Sequence, residues 1–300
     1  MNAVFVIDKP AGLTSHDVVN RARHILQQSS VGHLGTLDPM ATGVLPLVAG
    51  NLTRLAQFYN SSRKSYEGTI RFGFATDTYD AEGDPAGPLQ NVAFSVAQLE
   101  PIAHRFRGLI EQTPPAFSAK KVQGVPAYKL ARKKREVKLE PVQVEIQEFE
   151  ITSCEGDRAQ FHARVASGTY MRSVAHDMGV QLGCGAHLES LRRTRVAEFG
   201  IADAYTLERF EAASGSGHLD EVRVHPRKLL PEMPSVTATD EIAAYVRSGR
   251  AVNLPDFSRA KQVKVFYGQS ELIAVATRVA GTLFHPKIVF AAEKAVSAAR

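Results

Sequence analysis

Gly32-His33-Leu34-Gly35-Thr36-Leu37-Asp38-Pro39-Met40-Ala41-Thr42-Gly43-Val44-Leu45-Pro46-Leu47 holds a single carboxylate, Asp38, among small and apolar residues. Gly32, Gly35 and Gly43 surround it, and glycine permits tight turns and close approach of a ligand. Asp38-Pro39 has the form of a helix N-cap followed by proline at the first helical position, and aspartate is also common in turns. Gly43 and Pro46 deny a regular helix to the residues that follow. That weakens the capping reading and leaves Asp38 as a candidate chemical group.

Outward from this run, Thr14-Ser15-His16-Asp17 is a cap for a helix to about Gln27, with Val18, Val19, Ala22, Ile25 and Leu26 at helical spacing. Tyr66, Gly68, Ile70, Phe72 and Phe74 alternate with polar residues or glycine and predict a strand. Thr76 to Pro88, rich in Asp, Gly and Pro, reads as a loop. Ser95 and Gln98 have capping-box spacing for a helix that Gly108 stops. Val142, Val144 and Ile146 predict a strand, as do Phe161, Ala163 and Val165. Met171 to Leu182 reads as a helix ending at Gly183, and a further helix is expected over Ala186 to Arg193. Beyond Pro231 and Pro234, Val263–Tyr267, Leu272–Val279 and Leu283–Phe290 read as three short strands, and the residues from Ala291 as a short helix or loose tail. The pattern is α+β with antiparallel character rather than a βαβ repeat.

Length and a hydrophobic content of 44% fit one large globular domain, or one large and one small. No stretch approaches the ~18 apolar residues of a membrane span, and the N-terminus reads as a first strand rather than a signal peptide. Cys154 and Cys184 alone argue against a disulfide framework and fit a reducing cytoplasm. Charge is local. Ser118 to Lys138 carries eight basic residues against one acid, a local +7 in a chain of +5, leaving −2 elsewhere. Lys120, Lys121, Lys129, Arg132, Lys133, Lys134 and Arg135 are too one-signed for a self-neutralising face and point to a polyanion.

A carboxylate kept ionised in a dry pocket needs a cation beside it, or burial drives it to take up a proton. Arg172, in Gly168-Thr169-Tyr170-Met171-Arg172, is the candidate. In a first helical turn a cation opposes the helix dipole by ~0.3–1 kcal/mol, so its placement asks for a reason elsewhere. Phosphate-loop and zinc-site signatures are absent from the sequence, and the ten histidines are scattered, so no metal or nucleotide cofactor is expected.

The sixteen residues from Gly32 resemble the motif that carries the catalytic aspartate of the bacterial tRNA pseudouridine-55 synthases, the TruB type. Lys64-Ser65-Tyr66 and Gly168-Thr169-Tyr170-Met171-Arg172 are similar to two further motifs of that family, and the likeness runs from Lys9 to about Val196 and loosely on to Phe290. The resemblance implies an isomerase that cuts uracil from C1′ of its ribose, turns it and rejoins it through C5, without cofactor. Asp38 is then the nucleophile, adding at C1′ or at C6, Arg172 its partner, and Tyr66 a ring that stacks on the base. His33 and Tyr170 contact the flipped nucleotide, Leu191 is an apolar wall, and Lys9-Pro10 supports the pocket. The resemblance also implies a mixed, mainly antiparallel catalytic sheet with flanking helices over 1–230, a basic clamp insertion at about 112–140 for the tRNA T-arm, and a β-rich PUA-like RNA-binding domain over 231–300. Arg132-Lys133-Lys134-Arg135 departs from the family, where a glycine is more usual. A cytoplasmic monomer acting on uridine 55 of the T-loop, with no guide RNA, is the reading adopted. A guide-dependent dyskerin-like enzyme would lack the clamp insertion. An RNA chaperone without catalysis would not need Asp38, Tyr66 and Arg172 together. A hydrolase would need a second acid or base that the sequence does not offer at suitable spacing.

Overall fold

The structure is a computed structural model that describes residues 1–290 apart from Ala119, Gln123, Arg132 and 134–138. Its larger body is a nine-stranded sheet. The strands are β1 (Ala3–Lys9), β2 (Val31–His33), β3 (Thr42–Ala49), β4 (Lys64–Phe72), β5 (Gly108–Gln112), β6 (Val142–Glu155), β7 (Arg158–Val165), β8 (Ala186–Val196) and β9 (Phe199–Gly200). They run in the order β1-β3-β8-β4-β7-β6-β5, with β2 on β3 and β9 on β8. Every pairing is antiparallel except the short parallel contact of β8 with β3, where Arg192 and Arg193 face Thr42 and Gly43.

Helices α1 (Ser15–Ile25), α2 (Val96–His104) and α3 (Met171–Leu182) flank this sheet. The Thr14 hydroxyl accepts from the Asp17 N–H at 3.0 Å while Asp17 accepts from the Thr14 N–H at 2.9 Å, a reciprocal cap. At the other end of its family of caps, Gly183 closes α3 in the left-handed conformation with φ +73°. Val18, Val19 and Ala22 of α1 and Val174, Ala175 and Met178 of α3 join Phe5, Ile70, Phe72, Phe149 and Phe161 of the sheet in one core.

The helix expected over 186–193 is instead β8, paired with β4 from Ala186 opposite Phe72 to Val196 opposite Lys64. Leu, Glu and Arg favour helices locally, yet the segment lies centrally between β3 and β4, where ladder bonds and burial on both sides outweigh propensity. Irregularities between Leu188 and Ser190 and between Arg193 and Arg195 break the two-residue alternation that would otherwise have identified a strand.

After α4 (Leu207–Gly215) comes a second, five-stranded sheet. It contains β10 (Ser235–Ala238), β11 (Val252–Asn253), β12 (Gln262–Tyr267), β13 (Glu271–Ala280) and β14 (Leu283–Val289), with α5 (Asp240–Arg247) packed on it. The three strands read from the sequence are its centre, and the order is β10-β12-β13-β14-β11. Phe266, Leu272, Val275 and Ile288 of this sheet bury themselves against Val4, Val6, Leu52 and Leu55 of the larger body. The reading of the last residues as a helix or tail lies outside the described residues. Among the described residues no helix is long and apolar enough to cross a membrane.

Candidate active site

The segment between β2 and β3 carries Asp38 into a cleft of ≈ 920 Å³. Arg193 of β8 fixes this segment from beneath. Fully buried, its guanidinium donates to three backbone carbonyls: Val44 at 2.8 Å, Thr36 at 3.0 Å and Gly35 at 3.0 Å. Five donors in a rigid plane make arginine suited to such a task. Gly43 lies so near the same strand, with φ +99°, that a Cβ there would stand 2.2 Å from the Arg193 carbonyl oxygen. On the opposite flank Ser15 Oγ donates to the Leu37 carbonyl at 3.0 Å and accepts from the Leu37 N–H at 2.8 Å. Lys9 Nζ donates to the carbonyls of Pro10 at 2.8 Å and Pro39 at 3.1 Å. The Asp38 turn is thus held on three sides by side chains from β1, α1 and β8.

Arg172, in the first turn of α3, is 4% exposed and meets Asp38 twice. Nε lies 2.9 Å from Oδ2 as an ion pair, and Nη2 donates to Oδ1 at 3.2 Å. The same guanidinium reaches a second carboxylate that the sequence reading passed over: Nη1 donates to Asp80 Oδ2 at 3.2 Å. Asp80 is 3% exposed and also accepts from Thr78 Oγ1 at 2.6 Å and the Glu82 N–H at 3.1 Å. Backbone carbonyls of Thr78 and Phe117 take the remaining Arg172 donors. One buried cation therefore joins the Asp38 turn, the Asp80 loop and the segment leading into the basic insertion.

Burial pushes the Asp38 carboxyl above the ordinary carboxylate range; Arg172 pulls it back, and the neighbouring Asp80 charge pushes it further up. Burial lowers Lys9 to about 8, with Asp38 opposing that fall. Tyr66, on β4, is 7% exposed; burial raises its hydroxyl, and the Arg193 guanidinium beside it works the other way. Burial and the Arg193 charge lower the His33 imidazole, whose Nδ1 accepts from the Gly35 N–H at 3.2 Å. Tyr170 caps α3, its peptide N–H and carbonyl bracketed by the Gln112 amide at 2.8 and 3.1 Å. Tyr66, His33, Tyr170 and Leu191 all line the cleft with Asp38 and Arg172. Pro10 contributes its carbonyl to Lys9 rather than a wall.

The basic insertion reaches the same cleft through Phe117, Ser118 and Tyr128. Lys120, Lys121, Lys129 and Lys133 are exposed, and none forms an ion pair among the described residues. Arg132, Lys134 and Arg135 lie outside the described residues. Among the described residues no group of three or more His, Cys, Asp or Glu side chains is arranged to hold a metal.

Chemically, the site presents one carboxylate, anchored by a buried guanidinium, beside an aromatic ring and an apolar wall in a cleft open to a large ligand. The fold that carries it is the pseudouridine-synthase fold. A chain of a solved structure titled "Structure of H/ACA RNP bound to a substrate RNA containing 2'-deoxyuridine" superposes with a TM-score of 0.72 over 97% of this chain and 85% of that one, at 24% identity. The chain belongs to the TruB family of pseudouridylate synthases. The family's N-terminal domain matches residues 23–171, and the tRNA pseudouridylate synthase B C-terminal domain matches residues 172–231. The tRNA pseudouridine synthase B of Solibacter usitatus is 48% identical over 96% of this chain and 100% of its own length. That of Opitutus terrae is 46% identical over 71% of this chain and 88% of its own.

Asp80 and Arg193 had no distinguishing signal in the sequence. Asp80 is one of several acids in a loop rich in Asp, Gly and Pro, and Arg193 closes a stretch whose local pattern predicts a helix. Only the doublet Arg192-Arg193 within a buried strand, once β8 is recognised, would have drawn attention. Arg192 pairs outward with Asp8 at 2.7 Å while Arg193 turns inward.

Proposed function

We propose that this chain isomerises uridine 55 in the T-loop of tRNA to pseudouridine, with Asp38 as the nucleophile. The observation that carries the reading is the ion pair of Asp38 with buried Arg172, 2.9 Å apart, at the floor of a cleft lined by Tyr66 and Leu191. The relatives named tRNA pseudouridine synthase B supply the substrate class. In the reaction the N1–C1′ bond breaks, the base turns, and a C5–C1′ bond forms. The C5 proton leaves to solvent and N1 takes one up, so no electrons are gained or lost and no cofactor is required.

Each side chain then has a part. Arg172 keeps Asp38 ionised against burial, so the carboxylate is free to attack and form a covalent intermediate that divides one hard step into easier ones. Tyr66 stacks on the uracil, an interaction worth ~1–3 kcal/mol per base, and assists proton transfer at C5. Leu191 supplies the apolar wall, and His33 and Tyr170 hold the flipped nucleotide. Lys9 and Pro10 brace the Asp38 turn. Extruding the base costs on the order of a few kcal/mol. Phosphate contacts from Lys120, Lys121, Lys129, Arg132, Lys133, Lys134 and Arg135 in the clamp at 112–140 offset that cost. Residues 1–230 form the catalytic domain and 231–300 the RNA-binding domain. The enzyme works as a monomer in the cytoplasm, without guide RNA.

The test is tritium release from tRNA transcripts carrying uracil labelled at C5, with EDTA present and no guide RNA. Release that is lost when uridine 55 is replaced by cytidine is the expected result. A strict requirement for metal or guide RNA, or release that survives the replacement, overturns the reading.

A further inference from the structure

Two Lys or Arg side chains are found among the described residues that line the cleft, Lys64 and Arg172. Arg172 is committed to two carboxylates. Lys64 is committed to none. Its Nζ donates to Ser167 Oγ at 3.2 Å and to the Ser62 carbonyl at 3.4 Å, both neutral and the second long, and an ammonium has three donors. The charge that acts on it is another cation, Arg193, and burial together with that neighbour lowers its pKa to about 8.

Other buried lysines of the chain behave differently. Lys9 and Lys264 are 0% and 2% exposed, and each is closed off by a backbone carbonyl at 2.8 and 2.6 Å. They are internal staples. Lys64 instead is half-buried and lines the cleft. An ammonium held out of water beside a guanidinium and without a counter-charge is unfavourable in the free protein. The arrangement becomes favourable when an anion arrives.

Position says which anion. Lys64 opens β4 two residues before Tyr66, so both side chains leave the same face of the strand, ~7 Å apart along it. The stem of Lys64 passes over Gly35, where a Cβ would sit 3.3 Å from Cε. The glycine therefore leaves room for the stem beside the loop that presents Asp38. Ser167 lines the same cleft as Lys64 and Tyr66, so both polar groups lie within reach of the sugar-phosphate backbone of a base stacked on Tyr66.

We infer that Lys64, together with the Ser167 hydroxyl, docks a backbone phosphate of the nucleotide whose base enters the cleft. This rests on the function proposed above and adds a second role to the strand that carries Tyr66. It ties the extruded nucleotide at both ends, ring and phosphate. A lysine suits the purpose because a point charge tolerates the changing angle of a phosphate during base turning.

The experiment measures binding of full-length chain to a fluorescently labelled T-arm hairpin across a salt series, for wild type, Lys64→Gln, Lys64→Met and Lys64→Arg. A second hairpin carries a single neutral methylphosphonate linkage next to the target uridine. Both neutral variants should bind about tenfold more weakly, and the slope of log affinity against log salt should fall by about 0.7, the value for one phosphate contact on single-stranded RNA. Lys64→Arg should retain the slope. The methylphosphonate should weaken wild type to the level of Lys64→Gln and leave Lys64→Gln itself unchanged. A lysine that merely supports the fold would lower Tm when neutralised, whereas relief of an unpaired buried charge leaves Tm equal or higher. Unchanged affinity and slope in the neutral variants, or a methylphosphonate effect that multiplies with the substitution, overturns the inference. The wild-type methylphosphonate comparison requires no variant, so a folding defect does not shelter the idea. Wild-type protein that binds as described yet releases no tritium would strike the proposed function and leave the phosphate contact standing.

Discussion

Asp80→Asn separates the electrostatics of the site from its shape. The side chain keeps its size and can still accept from Thr78 Oγ1 and face Arg172 Nη1, now 3.2 Å from a carboxylate oxygen. What disappears is one negative charge. Arg172 keeps its charge, so its bond to the new amide oxygen stays charge-assisted; what is lost is the ion-pair attraction to Asp80, and the hold on Arg172 weakens by on the order of 1–2 kcal/mol. If that hold is made fully in the transition state, kcat/KM falls roughly 5- to 30-fold. The pH profile should move as well, and its direction is fixed. As the proposed nucleophile Asp38 must be ionised to attack, so on that reading activity appears as pH rises through its elevated pKa. The Asp80 charge is one cause of that elevation, after burial. Removing it lowers the Asp38 pKa and carries the acidic limb of kcat/KM to lower pH, even as the maximum falls. Tritium release under kcat/KM conditions between pH 5 and 9 reads both effects. An acidic limb displaced upward, or a maximum within twofold of wild type, would refute the reasoning that Arg172 is shared between two carboxylates.

Asp38→Asn should abolish turnover while tRNA affinity stays within a few-fold of wild type, by filter binding. Because the folded-state pKa of Asp38 is raised, its ionised form costs stability that mounts as pH rises from the ordinary carboxylate value through the elevated one. Calorimetry near neutral pH should accordingly find Asp38→Asn at least as stable as wild type, and a clear drop in Tm would contradict this. Gly43→Ala forces a Cβ against the Arg193 backbone at positive φ and should cost more than about 3 kcal/mol, roughly 6–12 °C in Tm; a shift under 2 °C would mean the two strands separate easily. Arg193→Lys leaves one ammonium where three carbonyls were spanned. It should lower Tm and kcat together, and a Tm loss with full activity would show that the Asp38 turn holds its shape unaided. Replacing Lys133, Lys134 and Arg135 with glutamine should weaken tRNA binding and flatten its salt dependence by about 2 in slope; unchanged affinity would mark the run as a solvated surface.

The parts of the site that sequence exposed are those where an unusual residue stands in a constrained setting. Asp38 sat alone among glycines and apolar residues, and Arg172 stood where a helix disfavours a cation. Each asked for a partner, and the structure brings the two together. The same holds for the caps at Thr14 and Ser95 and the stop at Gly183, which are local in chemistry and so local in signal. The missed parts depend on contacts between distant segments. Asp80 gains its identity only from Arg172, 92 residues away. The strand at 186–196 is made by its neighbours on either side, and its irregularities hide the alternation a reader would look for.

Arg193 couples two things that an enzyme could have kept apart. The strand that bears it also bears Leu191, while its guanidinium fastens the turn that bears Asp38. The Asp38 carboxylate and the pocket wall are thereby mounted on one bracket. Thermal motion that shifts the strand carries both along, so their spacing outlasts displacements that would misalign parts bolted to separate supports. The corollary for redesign is that neither the turn nor the strand can be transplanted alone: a graft that omits either half delivers a carboxylate with no fixed distance to the surface it must serve.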